Sequence, residues 1–286
     1  MNTKILASLV LIGIAISGIT MGTVAYFSDI EKSTGNTFTA GSLDLKVDST
    51  CHYWQYDYVT KLYVDKGCGT GAEHGNWALD DLSSGVHKFF NFVDIKPGDY
   101  GEDTVSLHVY DNDAWGRLVI GALVDTEGSP ACTEPESAAE VDCPHLTGEL
   151  RQNLLFKVWL DEGAAPGFQN SIPGETQDPT EGDNIRQAQE PILITEGPID
   201  AIGETWDLAP GLIMAYNRPP CTGLHPEKIC RGLTSDGHLV GSVTYYFGIG
   251  WILPSTVGNE AQTDVFGGDM TFQVVQYRNN PTPSWT

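Results

Sequence analysis

Positive charge is what this chain has least of. Fifteen Lys and Arg stand against 38 Asp and Glu in 286 residues, a formal net charge of −23. So few cations cannot neutralise many phosphates, which argues against nucleic acid or an anionic membrane as partner. Such a balance fits a solvated acidic surface, or one that gathers cations. The signatures of common chemistry are missing too: there is no His-Glu-x-x-His, no Gly-x-Ser-x-Gly elbow, no P-loop and no dinucleotide fingerprint. No Asn-x-Ser/Thr acceptor occurs, so N-glycosylation is not expected. No internal repeat of fixed period is visible. Past residue 25, no apolar run approaches the roughly twenty residues that span a bilayer.

The one long apolar run lies at the start. Lys4 supplies a short positive segment, and Ile5 to Ile19 follows without a charge. That length suits a secretory signal better than a full span. Thr23-Val24-Ala25 offers small residues at the −3 and −1 positions of a cleavage site, predicting a cut between Ala25 and Tyr26. Beyond it, Tyr26, Phe27, Ile30 and Phe38 are scattered among polar residues. Gly35 and Gly41 bracket a hinge, and Ser42 to Val47 alternates with the period of a half-buried strand. A β-capable tail hinged by glycines can pair with its own domain or with the sheet edge of a neighbour.

The run AYFSDIEKSTGNTFTAGSLDLKV resembles the N-terminus of the TasA/camelysin group of exported fibre subunits and its archaeal relatives, which include bundling pilins. Phe-Ser-Asp after the cut and Phe-x-Ala-Gly-x-Leu-Asp-Leu carry the likeness. Asp94-Ile95-Lys96-Pro97-Gly98-Asp99 leading into Val105 to Val109 is similar to archaeal members. So is Trp251-Ile252-Leu253-Pro254 with Gly258 to Asp264. The resemblance implies a jelly-roll sandwich that polymerises head to tail, the N-terminal strand of one subunit completing the sheet of the next. The segment from about Tyr26 to Phe38 is then expected to leave its own domain. Tyr26, Phe27, Ser28, Asp29, Ile30 and Phe38 would form the donor-strand interface, with filaments bundling laterally through their acidic faces.

Composition and pattern independently indicate an all-β chain. About 260 residues remain after position 25, enough for one large domain, and Gly 32 and Pro 16 suit turns and short strands. Strands are predicted within Cys51–Val64, Lys88–Ile95, Thr104–Tyr110, Arg117–Val124, Leu154–Asp161, Gly241–Leu253 and Met270–Arg278. Gly248 and Gly250 read as bulge positions. Thr147 with Leu150 suggests a short helix through Asn153, and Lys96-Pro97-Gly98-Asp99 reads as a tight turn. Ile192–Ile202 and Leu208–Pro220 are of uncertain type. The organisation expected is a signal over 1–25, a donor segment over 26–40, one sandwich over 41–280 with loop insertions near 127–146 and 162–190, and a tail over 281–286.

Six cysteines fall as three local pairs, Cys51/Cys68, Cys132/Cys143 and Cys221/Cys230, expected as disulfides in an exported protein. Cys221-x3-His225-x4-Cys230 would alternatively give three of the four ligands of a structural zinc, with no fourth at a telling spacing. None of the seven histidines has a zinc-protease arrangement, and His108, out of phase with Val105, Leu107 and Val109, is expected to face solvent. Asp161, Glu162, Asp178, Glu181, Asp183, Asn184 and Glu190 gather around the long insertion, where oxygen ligands can hold calcium although EF-hand spacing is not met. Otherwise no cofactor or catalytic residue is expected. The reading is a structural subunit of an extracellular filament, a bundling pilus or biofilm-matrix fibre at the cell surface. The alternative is a secreted metallopeptidase or carbohydrate-binding module, for which loop residues Trp77, Trp115 and Trp206 would stack on sugars.

Overall fold

The computed structural model describes residues 28–33, 43–83, 85–128, 133–140, 147–171, 177–221 and 230–285. Among these, eleven strands form two antiparallel sheets. The larger runs β3 (Leu62–Asp65), β2 (Asp44–Asp57), β5 (Tyr100–Tyr110), β10 (Val243–Ile252), β7 (Leu155–Leu160) and β8 (Ile192–Pro198), with β4 (Trp77–Asp80) also paired to β2. The smaller runs β1 (Ser28–Ser33), β11 (Val265–Gln276), β6 (Ala114–Thr126) and β9 (Thr205–Asp207). Helices are short: α1 (Glu134–Ala139), α2 (Leu150–Asn153), α3 (Ile199–Ile202) and α4 (Ala209–Tyr216). None is long and apolar enough to cross a membrane. The all-β sandwich expected from the sequence is what the chain forms.

Alternation builds the core. Leu45 and Val47, Val105, Leu107 and Val109, Tyr245, Phe247 and Ile249 come from the large sheet, and Phe272 and Val274 from the small one. All are essentially inaccessible to water. At roughly 1.5–3 kcal/mol per large side chain, this interior is the main force holding the sheets together. A second cluster of Tyr53, Leu150, Leu154, Trp251, Leu253 and Val257 closes one end.

Several boundaries differ from expectation. Lys88–Ile95 is not a strand; Phe89 packs against Trp77 and Phe92 against Trp251, while Phe90 touches both clusters. An apolar run reports burial, not backbone type. Cys51–Val64 splits: its first half continues β2, and β3 folds back as a hairpin partner. Leu208–Pro220 contains α4, which buries Gly211, Leu212 and Ala215. The turn at Lys96–Asp99 forms as expected. Gly98 takes φ 95°, and Asp99 N–H donates to Lys96 O at 2.8 Å. β10 runs in continuous register against both β5 and β7, without a bulge. Gly248 is needed for a different reason: a Cβ there would fall 2.0 Å from Cε2 of Trp159.

The insertion over 162–190 lies outside the sandwich core but against it. Asn184 Nδ2 donates to Thr50 O of β2 at 2.8 Å, and Gly182 (φ 69°) sits so close to Tyr246 of β10 that a Cβ would meet the ring at 2.7 Å. Both faces of β5 are therefore covered, which is why Thr104 and Ser106 are as inaccessible as Val105.

Candidate functional site

The expected cleavage site at Ala25 and Tyr26 lies outside the described residues, as do the expected interface residues Tyr26, Phe27 and Phe38. Ser28, Asp29 and Ile30 fall in β1. They have not left their own domain: β1 is the outermost strand of the small sheet and pairs antiparallel with the chain's own β11, from Ser28↔Val275 to Ser33↔Met270. An edge row of unpaired N–H and C=O groups takes the strand that is available. For a single chain that strand is its own. The register sets Asp29 opposite Val274 and Glu31 opposite Phe272, both core residues of β11, whereas the apolar Ile30 stands opposite Gln273.

The acids of the long insertion form a buried knot. Glu162 accepts Gly167 N–H at 2.8 Å and faces Arg218 at 2.6 Å; Glu181 accepts the N–H groups of Gln169 and Asn170; Glu190 accepts those of Gly163 and Gln187. Asp161 accepts Gly182 N–H, and Asp178 accepts Ala165 N–H. Residues that sequence alone made candidate calcium ligands thus act as acceptors for the loop backbone around them. Loss of solvent pushes Asp161 up to about 6, Glu162 to about 7, and Glu181 and Glu190 to about 8. Burial raises Glu102 of β5 as well. Thr104 Oγ1 lies 2.9 Å from Glu102 Oε1 and 3.0 Å from Asp161 Oδ2. One hydroxyl carries one proton, so Thr104 either shares it between the two carboxyl groups or accepts from one of them.

Cys51–Cys68 and Cys221–Cys230 are disulfides, as sequence proximity predicted, and the Cys221/His225/Cys230 zinc arrangement is set aside because its two thiols are bonded to each other. Cys132, Cys143 and His225 lie outside the described residues. His108 does not point freely into solvent: its Nε2 lies 2.7 Å from Asp48 and its Nδ1 3.0 Å from Thr244. The tryptophans are not exposed loop rings. Trp115 is buried in β6 and donates to Asn280 O, Trp77 in β4 donates to Val47 O, and Trp206 in β9 donates to Ile202 O.

A second group of acids is invisible to spacing. Glu127, Glu136, Glu140 and Glu149 come from the β6–β7 connection, and Asp264 joins Glu149 from 115 residues further along. Only the pairing of β6 with β11 brings them together.

Residues 1–52 match the family model described as camelysin metallo-endopeptidase. The match spans the apolar N-terminal run, β1 and β2 as far as His52, and leaves the rest of the sandwich unmatched. No curated protein matches the chain.

Proposed function

We propose that this chain is the subunit of an extracellular filament, cut after Ala25, in which the N-terminal strand of a neighbour takes the place that β1 holds beside β11. The observation that carries this reading is the pairing of β1 at an open sheet edge in a register poorly matched to its sequence. In a strand, a shift of one residue exchanges the two faces. A neighbour's strand entering one residue out of the present register, with Ile30 opposite Phe272, would set Asp29 opposite Gln273 and Glu31 opposite Thr271. The self-paired strand is then a parked state, which a better-registered partner displaces. Residues 34–43, between β1 and β2, reach at most about 33–36 Å when extended, enough to carry the strand to an adjacent subunit. The match of residues 1–52 to a camelysin family model supports the same end of the chain as the distinctive part.

Cysteines placed at Ile30 and Gln273 test this. Oxidised as a monomer, the pair locks β1 on its own β11, and filaments should be absent by electron microscopy until a reductant is added. Filaments that form equally well from the locked protein would refute strand exchange.

The matching family is described as a metallo-endopeptidase, which favours a second reading, a metallopeptidase. Among the described residues, His108, His238 and His52 each face a carboxylate, and the ligand-type side chains that converge are carboxylates. Stoichiometric zinc in purified protein together with casein hydrolysis would favour that reading over the filament.

A further inference from the structure

Thr126 at the end of β6 is paired with Val265 at the start of β11. The next residue outward on each strand is an acid, Glu127 and Asp264, and the sheet register sets the two side by side. Against this end of the small sheet lie the described parts of the β6–β7 connection, residues 133–140 and 147–153. Its helix α1 carries Glu136, and Glu140 and Glu149 flank α1 and α2. Carboxylate oxygens of Glu127, Glu136 and Asp264 all lie within 4.8 Å of one another, and so do those of Glu127, Glu140 and Glu149.

Crowding of acids alone would say little, since exposed acids cluster without a ligand. Glu136 is different because it has no solvent exposure at all. Its Oε2 accepts Thr133 N–H at 2.7 Å, completing the cap of α1, while Oε1 is buried without a hydrogen-bond partner in a carboxylate that lies within 4.8 Å of those of Glu127 and Asp264. Asp264 repeats the pattern: Oδ2 accepts Glu149 N–H at 2.5 Å, and Oδ1 is buried and unsatisfied. A buried carboxylate oxygen without a donor is costly, and two such groups beside further acids repel one another. A cation placed among them removes both costs.

We propose that Glu127, Glu136 and Asp264 bind one calcium ion, with Glu140 and Glu149 closing the site. Among the described residues the donors are all hard oxygens, which disfavours zinc and copper. Two oxygens each about 2.4 Å from a common ion are at most about 4.8 Å apart, and three carboxylates, each able to bind through two oxygens, approach calcium's six to eight ligands. Magnesium demands a tighter octahedron and keeps its waters, so a cage of preplaced carboxylates suits it less well. The bound ion would tie the β6–β7 connection to the first residue before β11, the strand that holds β1.

The test is calorimetric titration of the chelator-treated full chain with calcium chloride, and with magnesium chloride in parallel. One saturable calcium site is expected, with magnesium weaker by at least ~10-fold. Glu136→Gln should weaken calcium by ~10-fold or more, whereas Glu181→Gln, in the other acid cluster, should bind as the wild type does. Hydrogen exchange of the wild-type chain with and without calcium gives a readout that needs no variant: the gain in protection should fall on 127–149 and on the residues before β11. Absence of saturable binding, full binding by Glu136→Gln, or protection gained at 161–190 instead would overturn the site.

Discussion

Arg218 Nη1 lies 2.6 Å from Oε1 of Glu162, whose side chain has no solvent exposure, and the same guanidinium nitrogen donates to the backbone oxygen of Gln189. One cation thus holds both ends of the insertion that covers the large sheet.

Replacing Arg218 with Ala leaves a buried carboxylate without its counter-charge. The expected loss is about 2–4 kcal/mol, below the usual value for a fully buried pair because Arg218 is partly exposed. The melting temperature should fall by about 5–10 °C. Adding Glu162→Gln to Arg218→Ala should recover part of the loss, since the stranded charge is gone. Thermal melts of the two variants check this; equal melting of Arg218→Ala and wild type would mean the pair contributes nothing.

The knot also fixes how stability depends on pH. Glu162, Glu181 and Glu190 titrate in the folded chain at about 7, 8 and 8 because burial disfavours their charged forms. In the unfolded chain they titrate near 4.3. The folded state therefore holds more protons between those values, and stability falls as pH rises through that window. The contribution is fully present below about pH 4 and is lost by about pH 8. Melting measured at pH 5 should exceed that at pH 8.5 by several degrees, and Glu181→Gln should flatten the slope. A melting temperature that climbs across this range would contradict the burial of these acids.

Gly248 leaves room for the indole of Trp159, which sits where a Cβ would be. Gly248→Ala must push the ring off the sheet, at about 1–3 kcal/mol. Combining it with Trp159→Leu should cost less than the sum of the two single changes, because the clash is removed. Urea unfolding of the four proteins in that cycle gives the coupling directly.

The parts of the fold that sequence made legible are those set by local pattern. Val105, Leu107 and Val109 alternate and are buried in β5; Pro97-Gly98 makes its turn; Cys51 finds Cys68 and Cys221 finds Cys230. The misreadings share one physical origin. Phe89 is buried in the main cluster and Phe92 packs half-buried against the second, neither of them in a strand. His108 is held between Asp48 of β2 and Thr244 of β10, and Gly248 serves a neighbouring indole rather than a bulge. In each case the deciding contact comes from elsewhere in the chain.

The amino-acid sequence by itself determined an acidic, disulfide-bearing all-β chain with an apolar N-terminal run, because composition, alternation and short cysteine loops act over a few residues. Only the tertiary structure decided that Ser28–Ser33 lies on β11, that Glu127 meets Asp264, and that the insertion acids are spent on their own loop. Sheet order and strand register impose those neighbours. They follow from pairing free energies summed over the whole sandwich, which no short window of sequence contains.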